Sequence, residues 1–178
     1  MFLKMVSVLS ILALSACMLV TVGCSSANVA NLWKTAGQLA DAYISAYAPG
    51  WTGQASFDAA WAKAYTAIVG WKSGSPCAEI VTAINDGVAI FDTIPSVTPA
   101  QKLLLATVSA SINIVASNFA NCAPLAAHQF KPSVMRAQLP AGQLPATNAS
   151  DLKKQWKANG GPGLPSKYNP INWFKVKK

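Results

Sequence analysis

The sequence predicts an all-α protein: a small bundle of about four helices, followed by a proline-rich C-terminal extension. Three observations predict it. Between residues 28 and 121 apolar side chains recur at three- and four-residue intervals rather than alternating. Glycine and proline interrupt this pattern about once per helix length. Two of the segments open on an N-cap residue followed directly by proline, Ser75-Pro76 and Thr98-Pro99. Proline is welcome at the first helical position because its missing N–H would have no partner there anyway.

The first helix is expected from Asn28 to about Tyr47, with Leu32, Ala36, Leu39, Tyr43 and Tyr47 on one stripe and Pro49-Gly50 ending it. The second is expected from Ser56 as N-cap to about Trp71. Asp58 would sit in its first turn, where the helix dipole favours a negative charge. Its apolar face reads Phe57, Trp61, Tyr65, Ile68. The third runs from Ser75-Pro76 to a stop at Pro95, with Cys77, Ile80 or Val81, Ile84, Val88 and Phe91 inward. The fourth begins with a capping box, Thr98 to Gln101, and continues to about Asn121 with Leu104, Val108, Ile112, Val115 and Phe119 on its stripe. The third and fourth helices are similar in length and joined by a short turn, so they are expected to form an antiparallel hairpin.

From Pro124 the character changes. Proline recurs to Pro170, and Gln138-Leu139-Pro140-Ala141 repeats as Gln143-Leu144-Pro145-Ala146, the composition of a stiff, solvated linker. Ser150 can cap a short helix over Asp151–Ala158, setting Leu152 and Trp156 on one side. Charge is divided unevenly. Residues 25–130 carry four lysines against five carboxylates. Residues 131–178 carry nine basic residues against Asp151 alone, so the net charge of +8 belongs to the tail. Such a tail calls for an anionic partner.

The N-terminus has a Lys4 start, an apolar run from Met5 to about Val22, and small residues at the break. This is the layout of a secretory signal. Leu14-Ser15-Ala16-Cys17 and Thr21-Val22-Gly23-Cys24 each resemble the lipid-attachment motif of bacterial lipoproteins. The first fits better at its leading position. Cleavage before Cys24 leaves the polar tether Ser25-Ser26-Ala27-Asn28, whereas cleavage before Cys17 leaves an apolar stretch. Cys24 is therefore the favoured lipid site and Cys17 the alternative, with an uncleaved anchor or plain secretion as further options. The resemblance covers only residues 1–24. It implies a palmitoylated lipoprotein, and Ser25 after Cys24 implies delivery to the outer membrane, facing the periplasm. Without an outer membrane, the same signal would anchor the protein on the outer leaflet of the cell membrane.

Export makes nucleic acid an improbable partner. In an oxidising compartment the remaining pair, Cys77 and Cys122, reads as a disulfide. The antiparallel hairpin independently brings the start of the third helix beside the end of the fourth. Closing that loop corresponds to ~4 kcal/mol in the chain-entropy account.

The chain shows no phosphate-binding loop, no zinc spacing and no nucleophile pattern. No metal, cofactor or catalytic residue is expected, and an enzyme is not the favoured class. His128, the only histidine, lies in the proline-rich stretch, and Asp86 and Asp92 do not share a helical face well. A polar cleft around His128 or Glu79 would be the mark of an enzyme. Trp33, Trp51, Trp61 and Trp71 are expected mostly in the core, with Trp51 the likeliest exception. Few charges lie on the helices, which suits an oligomer or a docked partner as well as an Ala-rich bundle.

The candidate partner-binding set is Lys153, Lys154, Trp156, Lys157, Lys167, Tyr168, Trp173, Phe174, Lys175, Lys177 and Lys178. Rings settle at an interface while lysines meet phosphate or carboxylate. Either this arm reaches out, or it packs back and hides its aromatics. The expected organisation is a signal (1–23), a bundle (24–123), a linker (124–149) and a basic aromatic arm (150–178). The expected function is structural or interactive: a membrane-tethered spacer whose arm engages an anionic envelope polymer, lipid headgroups or an acidic protein. The alternative is an inhibitor or immunity-type lipoprotein, of the kind carried by phages or mobile elements.

Overall fold

The computed structural model describes residues 26–71, 77–119 and 139–164. They form five helices: α1 (Ser26–Tyr47), α2 (Gln54–Gly70), α3 (Cys77–Phe91), α4 (Pro99–Asn118) and α5 (Ala149–Ala158). No strand occurs among the described residues. The bundle expected from the periodicity is present, with α5 as a fifth helix packed on α1 and α4.

Cross-helix contacts give the directions. Gln54 at the start of α2 bonds Asp41 late in α1, and Trp61 stacks on Trp33, so α1 and α2 are antiparallel. Lys63 on α2 meets Asp86 on α3, while Phe91 packs on Trp61, which makes α3 antiparallel to α2. The Tyr43 hydroxyl donates to the Pro95 carbonyl at 2.8 Å, placing the turn before α4 beside the end of α1. At the other end Trp71 meets Phe119 edge-on, with centroids 5.6 Å apart. The start of α1 and the ends of α2 and α4 therefore gather at one end of the bundle, together with the start of α3.

The centre is built around two tryptophans. The Trp33 and Trp61 rings stack with centroids 4.1 Å apart and planes 14° apart. Each indole N–H donates to the other residue's backbone carbonyl, at 3.0 and 2.9 Å. Both rings are fully buried, yet both donors are satisfied, so neither leaves an orphaned polar group. Gly87 of α3 lies against this pair, and a Cβ there would stand 3.2 Å from the Trp33 ring. The missing side chain is what lets α3 close over both indoles.

Small residues also decide which helices meet. Ala64 of α2 and Ala83 and Gly87 of α3 are buried, and α2 with α3 is the most extensive contact in the bundle. Interaxial distance follows side-chain size at the contact, so this pair can approach closely. The expected hairpin of α3 with α4 is corrected in part: their short turn is present, but the two helices barely touch. Helix α4 packs instead on α1.

Helix α1 is the hub, with α2, α4 and α5 all packed on it. This explains why residues 35–40 are buried without a break, whereas an outer helix would bury a single stripe. Helix α4 is covered by α1 on one side and α5 on another, and residues 104–109 are likewise all buried. By length and composition α4 is apolar enough to cross a membrane. Its burial between two helices accounts for that composition. The hydroxyls this buries turn back on the helix: Thr107 donates to the Leu103 carbonyl and Ser111 to that of Thr107.

Of three caps, one is as expected and two differ. The capping box on Thr98 and Gln101 is complete, with both reciprocal bonds. Helix α2 starts earlier than expected, with Gly53 at its N-cap and no side-chain cap, so Ser56 and Asp58 lie inside the helix. Helix α5 is capped by Asn148, not Ser150: the Asn148 side chain accepts from the Asp151 N–H at 3.0 Å and donates to its carboxylate at 2.7 Å.

Candidate functional site

Two surfaces stand out, the outer face of α5 and a groove between α2 and α3. Helix α5 is amphipathic over ten residues. Leu152 and Trp156, one turn apart, are buried against the bundle. The Trp156 indole N–H donates to the Pro162 carbonyl at 2.9 Å. The chain after the helix folds back over that ring. A Cβ on Gly161 would fall 2.3 Å from it, so only glycine fits. Gly160 has a φ of +77°, the left-handed conformation expected where a helix ends on glycine. Asn159 then donates to the buried Thr107 hydroxyl of α4 at 2.8 Å.

This arrangement corrects one candidate. Trp156 is 3 % exposed and belongs to the core, so its ring is not available as an anchor for a partner. Lys153, Lys154 and Lys157 are exposed on the outer face, as expected. Lys154 meets Asp151 at 3.5 Å, an exposed pair that contributes little. Lys153 and Lys157 are one helical turn apart, so the surface offers a short basic row. Of the remaining arm residues, Lys167, Tyr168, Trp173, Phe174, Lys175, Lys177 and Lys178 lie outside the described residues. So do Cys17, Cys24, Cys122 and His128. Cys77 opens α3.

The groove runs between Lys63, Thr66 and Ala67 on α2 and Ala78, Glu79, Thr82 and Ala83 on α3, and encloses about 580 Å³. The Lys63–Asp86 pair, 3.3 Å apart, lies toward one end and Glu79 toward the other. With 1.5 Å of rise per residue, the two ends are about 10 Å apart. Three alanines supply apolar surface and two threonines line it. Glu79, around which a polar cleft would be the mark of an enzyme, does line this groove together with Lys63, Thr66 and Thr82, and no histidine lines it among the described residues.

A third feature was not anticipated. Asp58 of α2 faces Asp41 of α1, and one oxygen of the Asp58 carboxyl is buried with no hydrogen-bond partner among the described residues. Burial, and secondarily the Asp41 charge, push the Asp58 carboxyl up to about 6. Asp41 itself accepts a hydrogen bond from Gln54. The sequence carried a faint signal, since Gln54 and Asp58 are one turn apart, but their partner sits on another helix. Among the described residues no three Asp, Glu, His or Cys side chains gather as a metal site would require.

The tryptophans divide evenly, where the sequence suggested a core role for all but Trp51. Trp33 and Trp61 are fully buried and Trp51 and Trp71 half-buried. Trp51 lies over Gly53, where a Cβ would fall 2.2 Å from its ring, and tilts against Phe57. It packs on its own turn and offers no open stacking platform.

No family model, no curated protein and no solved structure matches this chain.

Proposed function

We propose that this chain is an exported envelope lipoprotein that presents a basic helix and a basic arm to an anionic partner. The observation that carries the reading is the division of α5. Its apolar side is fixed in the bundle by Leu152, Trp156 and Asn159, while Lys153, Lys154 and Lys157 face outward. A rigid helix holds these charges in one orientation, and Lys167, Lys175, Lys177 and Lys178 follow it in sequence. A phosphate-bearing surface, such as lipid headgroups or envelope polymer, matches that chemistry. Near an anionic membrane each lysine is worth about 1 kcal/mol and is screened by salt.

In this proposal Cys24, or alternatively Cys17, carries the lipid, and the protein sits on the outer membrane facing the periplasm. Residue 26 lies at the end of the bundle where Trp71 meets Phe119, so a tether would leave from that end. The proposal includes a Cys77–Cys122 disulfide, on the ground that these two cysteines are the pair left for an oxidising compartment.

The test is co-sedimentation of the full chain with vesicles containing about one-third anionic lipid, compared with a Lys153/Lys154/Lys157→Gln variant across a salt series. Binding should fall at least tenfold in the variant and fade with salt. Binding that is indifferent to both would overturn the proposal. The inhibitor or immunity reading would rest on Trp173 and Phe174, and single alanine substitutions there should then abolish binding to a discrete protein.

A further inference from the structure

We infer that the groove between α2 and α3 is the resting site of the chain's own C-terminal segment, residues 165–178. Three observations converge on that occupant. The first is reach. The described chain ends at Leu164, on the α5 side of the bundle, and Trp173 and Phe174 lie nine and ten residues further on. An extended chain of that length spans about 30 Å, enough to round two helix layers of about 10 Å each.

The second is charge. The segment has Lys167, Lys175, Lys177 and Lys178 and no acid. In the groove Lys63 pairs with Asp86, and among the described residues no salt bridge engages Glu79, the remaining charge of the lining. The third is surface chemistry. Trp173 and Phe174 need apolar contact, and Ala67, Ala78 and Ala83 provide it in a lining that also carries Lys63 and Glu79. A volume of about 580 Å³ holds two aromatic side chains with room to spare. When the segment is seated, its lysines are withheld from other anions, so an anionic surface has to compete for it. This goes beyond the proposed function and does not require it.

The test is zero-length carbodiimide coupling of carboxylates to amines in the full chain, at low micromolar concentration and low salt, with the products mapped by mass spectrometry. The Lys63–Asp86 pair serves as an internal control. A monomeric product joining Glu79 to one of Lys175, Lys177 or Lys178 is expected, and it should disappear in Glu79→Gln, whereas Lys167, about 10 Å of chain beyond Leu164, is too near the α5 side to couple. Thr82→Arg and Thr66→Arg, each at an exposed groove position, should reduce the product at least fivefold. They should also speed chymotryptic cleavage after Trp173 and Phe174 by a similar factor, with unchanged helical content. The inference is overturned if Glu79 couples to none of Lys175, Lys177 and Lys178, or only in dimers. It is equally overturned if both arginine variants leave coupling and cleavage unchanged. No vesicle or polymer is present, so failure here leaves the vesicle-binding result untouched.

Discussion

Replacing Asp58 with asparagine should stabilise the protein above pH 6 and do nothing below pH 4. Asp58 is held at about 6 in the fold against an ordinary 3.8, first by burial and then by Asp41. Between those values the folded chain binds a proton that the unfolded chain releases. Stability therefore falls as pH rises from about 4 to about 6, and the loss is complete above that. Lifting a carboxyl that far corresponds to about 3 kcal/mol if no solvent reached it. Asp58 is partly exposed, and screening by the water that reaches it reduces the figure to about 1 kcal/mol.

Asp58→Asn keeps the shape and removes the charge, so the gain at pH 7.5 should be about 1 kcal/mol, or roughly 4 °C in Tm. Thermal melts of both proteins followed by circular dichroism from pH 3.5 to 8 would measure it. The two curves should coincide at low pH and diverge through the interval. Asp41→Asn should recover the smaller share, since burial is the larger cause. If the wild-type melt is flat or rises between pH 4 and 6, or if Asp58→Asn is destabilising at pH 7.5, the reasoning is wrong.

Gly87→Ala sets about 1–3 kcal/mol of overpacking on the rigidly bonded Trp33 ring against about 1 kcal/mol gained in helix propensity, so it should be net destabilising by up to about 2 kcal/mol, read as a lower denaturant midpoint at unchanged slope. Trp156→Ala should cost about 3–5 kcal/mol, because it empties the contact of α5 with the bundle. A chain ending at residue 164 should melt as cooperatively as the full chain, whereas one ending at residue 130 should lose much of its stability by uncovering α1 and α4. Equal melts for the two truncations would show that α5 contributes nothing. Cys77→Ser should lower the melting temperature, and the oxidised protein should titrate two fewer thiols than the reduced one. Equal thiol counts would remove the proposed disulfide.

Much of the bundle could be read from the residues because its signals are local. The stripe Leu104, Val108, Ile112, Val115 and Phe119 is buried as expected, and the Thr98 box forms because all its partners lie within four residues. The period places Tyr47 and Tyr65 inward, but Tyr47 is exposed and Tyr65 is half-buried at the edge of the core. What escaped was set by contacts between helices. Neighbours in sequence, α3 and α4, were expected to pair, but the small residues of α2 and α3 draw those two together instead. Trp156 escaped for a different reason. A ten-residue amphipathic helix has the same pattern whether its apolar side meets a partner or its own bundle, and only Thr107, 52 positions from Asn159, reveals which. The Asp41–Asp58 proximity likewise depends on the α1–α2 register, which the Trp33–Trp61 bonds define and no short window of sequence contains.

The paired indoles have an optical consequence. Two identical chromophores stacked 4.1 Å apart and tilted by only 14° share their excited states. Such coupling splits the strong indole absorption band, and any skew between the two in-plane transition dipoles turns the splitting into a paired dichroic signal that separated tryptophans lack. The signal depends steeply on spacing and mutual angle, so it reports the register of α1 against α2. This protein therefore carries a built-in gauge of its own central contact, readable without a label, and distinct from the helical signal that a loosened bundle would retain.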